Sequence, residues 1–132
     1  MIARRTPLLI VLVALAACGA SAREKVIHAT LVSVNSAREG FTQFDRQKQQ
    51  SIVEAATSLD DGRTRLADYR KKREPVVDAF TTVYRAIAIA AVVSDDPTSL
   101  SMLLDVAKRL ADALAALGCD FCKMEISKME IK

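Results

Sequence analysis

The residue types that most constrain the chemistry of this chain are its three cysteines, Cys18, Cys119 and Cys122. Cys119 and Cys122 form a Cys-x-x-Cys pair near the C-terminus, where they can close a local disulfide or remain incidental thiols. An intermolecular bridge is a second interpretation, and a redox or metal role is a third. A redox role would require a βαβ context and a helix N-terminus that lowers the thiol pKa, and a structural zinc site would require four ligands. The local pair is therefore the favoured interpretation.

A catalytic centre is not evident in the rest of the sequence. His28 is the single histidine, so no Ser-His-Asp or Cys-His arrangement is credible, and no glycine-rich phosphate loop is present. We expect His28 to be a half-buried helix residue rather than a base. These observations predict a protein that is not an enzyme and that uses no metal, no cofactor and no evident small-molecule substrate.

A basic run occupies residues 63–74, which carry six cations and two acids for a local charge of +4. At about 100° per residue the cations point nearly all round a helix, which favours a solvated projecting segment over a phosphate-reading face. Contact with an envelope protein or an anionic envelope component remains an alternative. Nucleic acid is disfavoured because one tyrosine in this run offers no stacking series. The six cations are Arg63, Arg65, Arg70, Lys71, Lys72 and Arg73.

The first 17 residues have the organisation of an export signal. Arg4 and Arg5 precede an unbroken apolar run of ten residues at 8–17. As a helix this run would span about 15 Å, roughly half of a hydrocarbon core, so it is short for a transmembrane segment. We therefore expect a cleaved signal peptide at 1–17. Without its two arginines, the 19 basic residues fall to 17 against 16 acidic ones, and the net charge falls from +3 to +1.

The apolar run ends in Leu15-Ala16-Ala17-Cys18, and this tetrapeptide resembles the lipobox of bacterial lipoprotein precursors. The resemblance implies that Cys18 carries a diacylglycerol and an N-acyl chain such as palmitate, which together anchor a protein stably in a membrane. Gly19, rather than Asp, follows the cysteine. By resemblance to Gram-negative lipoproteins, this points to the inner leaflet of the outer membrane, facing the periplasm. An ordinary secretory signal and an uncleaved anchor are the alternatives.

Apolar residues beyond the leader recur at spacings of three and four, which predicts amphipathic helices. Turn signals divide them into helices at about 23–59, 62–94 and 97–117. The predicted fold is all-α: an antiparallel three-helix bundle within 23–118, after a lipidated linker at 18–22 and before a tail at 119–132.

Several residues predict where these helices begin, end or bend. Ser58 or Asp61 is available as an N-cap of the second helix, and Asp96 before a proline is an N-cap signal for the third. Gly118 is expected to adopt the left-handed conformation that ends the third helix. Pro75 should kink the second helix or break it briefly.

The antiparallel register predicts two levels in the bundle. A turn near 60–62 aligns the apolar gap at 45–51 with the polar stretch near 71–77, and the third helix should end at this level. We therefore expect a three-helix trunk near the lipid and a projecting two-helix arm at about 48–72. Few apolar residues are available to hold the arm together, so it should be marginal and mobile. They are Ile52, Ala55, Ala56, Leu59, Leu66, Ala67 and Tyr69.

These features predict a lipid-anchored, non-enzymatic envelope protein that acts as an interaction or structural module. The chain also resembles small helical lipoproteins that phages and prophages carry, through its short lipobox signal and Ala-rich helices. That resemblance implies an alternative role in lysis, similar to an outer-membrane spanin subunit, or in modifying the host envelope. Spanin subunits of this kind are expected to be shorter and richer in proline than this chain.

Overall fold

The computed structural model describes residues 21–93, 96–120, 122 and 124. Within these residues the chain forms three helices and no strands: α1 is Ala22–Ala55, α2 is Leu59–Val92 and α3 is Pro97–Leu117. α2 packs along both α1 and α3, which contact each other much less. The all-α prediction is confirmed, and the packing is compatible with a three-helix bundle. The predicted signal peptide at 1–17, Cys18 and most of the predicted tail lie outside the described residues.

The helix ends depend on local side-chain chemistry. Ser58 accepts a hydrogen bond from the backbone N–H of Asp61 at 3.1 Å, and Asp96 accepts one from that of Thr98 at 2.9 Å. Each therefore satisfies one of the free N–H groups at the start of a helix. Gly118 has a φ of 87° after α3, in the left-handed region that a residue without a Cβ atom adopts readily. These cap predictions are confirmed.

The connection between α1 and α2 comes earlier in the chain than expected. α1 ends at residue 55 rather than near 59, and α2 begins at 59 rather than near 62. The backbone N–H of Thr57 donates to the Asp61 carboxylate at 3.0 Å while Ser58 caps α2. These two hydrogen bonds stabilise a turn of only three residues, so the second helix starts sooner.

Pro75 does not break α2, which runs without interruption from Leu59 to Val92. The proline removes one hydrogen bond of the helix, but side chains on both sides of it are held by the bundle. Tyr69 and Val76 are buried at 4% and 1% exposure. α2 therefore continues through the proline, so the brief break is wrong, and the alternative of a kink stays a prediction.

The hydrophobic core lies between the first half of α1, the second half of α2 and all of α3. Its most deeply buried side chains include Val34, Val83, Leu103 and Leu110, each with 0% exposure. Within the described residues, the buried members of this core stop at Phe41 on α1 and resume at Val76 on α2. The core buried residues are Val34, Ala37, Phe41, Val76, Phe80, Val83, Ile87, Ala90, Leu103, Leu110, Leu114, Cys119 and Cys122.

α2 is the one described helix that is long and apolar enough to cross a membrane by length and composition. Its apolar half contributes Phe80, Val83 and Ile87 to the core. The same half carries exposed Asp78 and Arg85, each of which would cost about 2.5–3.5 kcal/mol at a bilayer centre. These observations favour a packed helix.

Candidate interaction surfaces at the two ends of the bundle

Arg23, in the first turn of α1, ties the start of the described chain to the α2–α3 connection. Its guanidinium donates to the carbonyl oxygens of Ala90 and Asp96 at 2.9 Å each, to that of Val93, and to the Ser99 hydroxyl at 2.6 Å. The Ser99 hydroxyl in turn donates to the Asp96 carbonyl at 2.8 Å. We call these five residues the Arg23 cluster, and it joins all three helices at one end of the bundle, the base.

The sequence analysis did not identify Arg23. A cation near the carbonyl end of a helix is a favourable arrangement, because the last carbonyls of a helix lack partners and carry partial negative charge. Here the cation comes from the other end of the chain, so only the antiparallel register brings it there. No isolated sequence pattern signals such a contact.

Exposed large apolar side chains gather near the two ends of the bundle. Val53 and Leu59, at 57% and 71% exposure, flank the α1–α2 turn at the end opposite the Arg23 cluster, which we call the tip. Four others lie near the base, and Val32 and Val77 lie along the sides. We call the basal group the base surface. Its members are Ile89, Val92, Val93 and Met102, at 47%, 82%, 42% and 57% exposure.

At the tip, Val53 and Leu59 border a groove between the end of α1 and the start of α2. The floor of the groove is narrow because Gly62 lies against Ala56: a Cβ atom on Gly62 would come within 3.3 Å of the Ala56 Cβ. To admit a larger side chain, Ala56 would have to shift by a few tenths of an ångström, so the glycine suits this close approach. We call this surface the tip groove, and its apolar and charged lining residues are Val53, Ala56, Leu59, Gly62, Arg63 and Leu66.

A polar node joins α1 and α2 between the tip and the core. The Asp45 carboxylate accepts from the Tyr69 hydroxyl at 3.0 Å, from Arg73 at 2.6 Å and from Gln49 at 3.0 Å. Burial raises the pKa of Tyr69 well above its usual range, and the Asp45 carboxylate beside the hydroxyl raises this pKa further. The node lies at the level where both apolar stripes lapse in the sequence, and polar groups there are satisfied by each other.

The six predicted basic residues all lie on α2 but do not form one surface. Arg73 points to α1 and pairs with Asp45, and Arg65 pairs with Asp61 of its own helix at 3.0 Å. Arg63 lines the tip groove. Arg70, Lys71 and Lys72 are exposed on the flank of the helix between these positions.

Cys119 and Cys122 lie just beyond α3, and the structure joins them in a disulfide with a Cα–Cα distance of 5.4 Å. This distance falls within the usual range for such bonds. Both residues are buried, at 4% and 1% exposure, against the end of the core. The bond lies at the end of α3, and Cys122 therefore holds the chain that leaves this helix against the trunk.

His28 is exposed on α1 near the base, and the half-buried position that we expected for it is wrong. The inward positions of that turn are taken by Val26 and Thr30, which are buried at 7% and 0% exposure. Within residues 21–93, 96–120, 122 and 124, no three His, Cys, Asp or Glu side chains come together as a metal ion would require.

The side of the trunk carries a shallow groove between α1 and α2. The Tyr84 hydroxyl donates to the Asn35 side-chain oxygen at 2.6 Å, and the Arg38 guanidinium lies 5.7 Å from the centre of the Tyr84 ring. A cation over an aromatic face is attracted by the ring quadrupole. Phe41 and Phe80 line the same groove, and their ring centroids are 5.6 Å apart.

The chain matches no known protein family, and comparisons with curated proteins and with solved structures find no significant match.

Proposed function

We propose that this protein is a lipid-anchored, non-enzymatic envelope module that holds a helical tip away from the membrane for contact with a partner. The anchor is the acylated Cys18, whose acyl chains insert into the periplasmic leaflet of the outer membrane. The contact surface is the tip groove with Arg63, and the exposed cations Arg70, Lys71 and Lys72 lie farther along α2.

The observation that carries this proposal is the Arg23 cluster. Arg23 follows Cys18 by only five positions in the sequence, and its guanidinium holds the start of α1 against the α2–α3 connection. An anchor on Cys18 would therefore attach at the base. α1 contains 34 residues, which at 1.5 Å per residue separates the tip from the base by about 50 Å.

The unequal lengths of the helices support a projecting arm. α1 and α2 each contain 34 residues and α3 contains 21, so α3 is shorter than its neighbours by about 20 Å. Between Phe41 and Val76 the described chain contributes no buried residue to the core. This region contains the polar node and the tip, and its lack of core residues supports the proposed arm.

Of the seven apolar residues expected to hold the arm together, three are exposed and three are half-buried. Ala55, Leu59 and Ala67 are exposed, whereas Ile52, Ala56 and Leu66 are half-buried. Tyr69 is the one apolar-bodied residue of the expected set that is fully buried. The polar node adds hydrogen bonds between these two helices, and exposed Leu59 is left available for a partner.

The tip groove combines apolar side chains with the cation of Arg63. Such a surface suits a protein partner that presents an apolar segment beside an acidic group, since apolar burial supplies affinity and charge pairing supplies specificity. The groove therefore indicates the chemistry of a partner more specifically than the net charge does, since the chain would be close to neutral after removal of the leader.

The anchor is tested by labelling the full chain with a radioactive fatty acid in a Gram-negative host. Wild-type protein should carry the label and fractionate with the outer membrane, and Cys18→Ala should carry none and remain unprocessed or soluble. The double variant Cys119→Ala/Cys122→Ala is the matched control and should retain the label. Label on the Cys18→Ala protein, or none on the wild type, would contradict the proposal.

The tip is tested by incorporating a photo-crosslinking amino acid at Leu59 in the anchored protein. Val32 is the matched control, because it is also exposed, at 54%, but lies on the side of the trunk. We expect crosslinked adducts of defined mass from position 59 and not from position 32. Equal adducts from the two positions would show that the tip is not a specific contact.

A further inference from the structure

We propose that the base surface lies in the lipid interface of the anchoring membrane and so sets the orientation of the bundle. This inference rests on the proposed acylation of Cys18 and adds a second membrane contact to it. The occupant of the exposed apolar face is thus a phospholipid surface, rather than a second copy of the chain or another protein.

The exposure of the base surface is the first observation behind this assignment. Val92, with 82% exposure, is the most exposed large apolar residue described. Ile89 and Met102 belong to facing helices and border the same groove, so the surface continues from the end of α2 across to α3. Exposed apolar side chains that cluster in this way are characteristic of interaction sites.

The second observation is the distance from the anchor. Cys18 and Ser21 are separated by three peptide units, which extend over at most about 11 Å in any conformation. Ser21 lies at the base with Arg23 and Ala91, and the carbonyl of Val93 accepts from Arg23. An acylated Cys18 therefore cannot hold the base far from the membrane, and the base surface is an exposed apolar face at this same end of the bundle.

The charges near the base surface fit the edge of a phospholipid layer. Arg85 borders the same groove about one turn from Ile89, and its long side chain can reach a lipid phosphate while its stem stays against apolar atoms. Asp96 also borders the groove, where its carboxylate accepts from the backbone N–H of Thr98. The Asp96 carboxylate is thus engaged in capping α3, and it borders the same groove as Arg85.

Insertion of the base surface would restrict how the bundle tilts. An acyl tether alone allows the bundle to lie on the membrane in many orientations, because it fixes only one point. A tether with an apolar contact on α2 and α3 fixes the end of two helices, and the tip groove at the other end is then held away from the bilayer.

Tryptophan quenching tests this inference, because the sequence contains no Trp. The full chain is produced in acylated form, and Val92→Trp is reconstituted in vesicles of phosphatidylethanolamine and phosphatidylglycerol with brominated acyl chains. Interfacial side chains lie within about 5–10 Å of the headgroup boundary. Val92→Trp should therefore lose about half of its emission or more relative to vesicles without bromine, with a shift to shorter wavelength. Met102→Trp is the second reporter and should behave alike.

Two control positions separate insertion from simple nearness to the anchor. His28→Trp lies near the base but on the α1 side, with an exposed native residue, and Leu59→Trp lies at the tip. Both should keep nearly all of their emission. Quenching of His28→Trp as strong as that of Val92→Trp would overturn the inference, because it would report the tether and not the surface.

The mass of each reconstituted protein shows whether Cys18 is acylated. This separates failure of the inference from failure of the proposed function. An acylated protein whose Val92→Trp and Met102→Trp are both unquenched overturns the inference and leaves the anchor intact. A second contrary result is a protein that dimerises and whose Val92→Trp emission is blue-shifted but not quenched. This result also overturns the inference, since a second copy would then cover the base surface. Absence of acylation overturns the anchor and, with it, the inference.

Discussion

The two levels of the α1–α2 pair are stabilised by different kinds of contact. At the trunk level, side chains such as Val34 and Val83 have 0% exposure and are covered by α3. Toward the α1–α2 turn, the contact between the two helices includes the carboxylate of Asp45 with Tyr69 and Arg73. The apolar core includes residues of all three helices, whereas the polar node joins α1 and α2.

The comparison shows how a two-helix arm can keep its register. Two helices that meet through a narrow row of apolar side chains can slide along each other, because neighbouring Ala and Leu side chains make nearly equivalent contacts. The Asp45 carboxylate on α1 accepts from two donors on α2, Tyr69 and Arg73. These bonds fix the relative positions of the helices, since displacement by one turn would leave partly buried polar groups without partners. We expect the trunk to provide most of the stability and the node to provide most of the alignment of the arm.

The largest effect is expected from truncating the trunk core. Leu110→Ala removes a side chain with 0% exposure and should lower the free energy of unfolding by about 2–5 kcal/mol. Equilibrium chemical denaturation followed by circular dichroism measures this loss. Val32→Ala, at an exposed position, is the control and should change stability by less than about 0.5 kcal/mol. Similar losses from both variants would remove the distinction between core and surface.

Loss of the Arg23 cluster should have the next largest effect. Arg23→Ala leaves the carbonyls of Ala90 and Val93 without this donor and should cost about 1.5–3 kcal/mol, as for hydrogen bonds to charged groups. Arg23→Lys keeps the charge but not the planar set of donors, so it should restore only part of the loss. Hydrogen exchange should accelerate at the base in both variants. Full restoration by lysine would mean that charge alone matters there.

The polar node should affect the arm more than the trunk. Asp45→Ala leaves Tyr69 and Arg73 without their acceptor and should cost about 1–3 kcal/mol, mainly as faster hydrogen exchange over 45–73. Asp105→Ala is the matched control, since it removes an exposed pair with Arg109 and should cost no more than about 1 kcal/mol. Faster exchange spread evenly over all three helices would refute a local role of the node.

The titration of Tyr69 gives the smallest expected effect. Its pKa is raised in the folded protein by burial and by Asp45, so its contribution to stability is complete below its unfolded pKa of about 10 and declines as the pH rises above that value. In a Tyr84→Phe background, tyrosinate absorbance should appear at higher pH in the folded protein than in the denatured one. Coincident titration curves would contradict the buried, hydrogen-bonded hydroxyl.

The sequence predicted the helix ends best, because their causes are local. Asp96 and Gly118 act within one turn of their own helix, and their roles follow from residue type alone. The α1–α2 turn was predicted too late, since the pattern around 58–62 offered two N-caps and the hydrogen bond from Thr57 to Asp61 that favours the earlier start depends on the folded turn.

The first turns of α1 bury the residues one position before the two large apolar ones, Ile27 and Leu31. Val26 and Thr30 are buried, whereas Ile27 and Leu31 are half-buried. Thr30 is compatible with burial because its hydroxyl donates to the Val26 carbonyl at 2.7 Å. Hydrophobicity alone could not identify a threonine as a core position.

The Arg23 cluster and the polar node could not be predicted because each joins residues far apart in the sequence. Arg23 reaches Ser99, and Asp45 reaches Tyr69 and Arg73. Which donor meets which acceptor depends on the register of two helices to within one turn, and the displaced α1–α2 connection changed that register. The general level of the polar contact was visible as coincident gaps in two apolar stripes, but its partners were not.

The central claim is that this bundle is attached to a membrane through Cys18 at the base, and the mass of the N-terminal peptide tests it most directly. Protein extracted from the envelope of its host should yield a peptide that begins at Cys18 and carries a diacylglycerol and an N-acyl chain. A peptide that begins at Met1, or at Cys18 with a free thiol, would contradict the account.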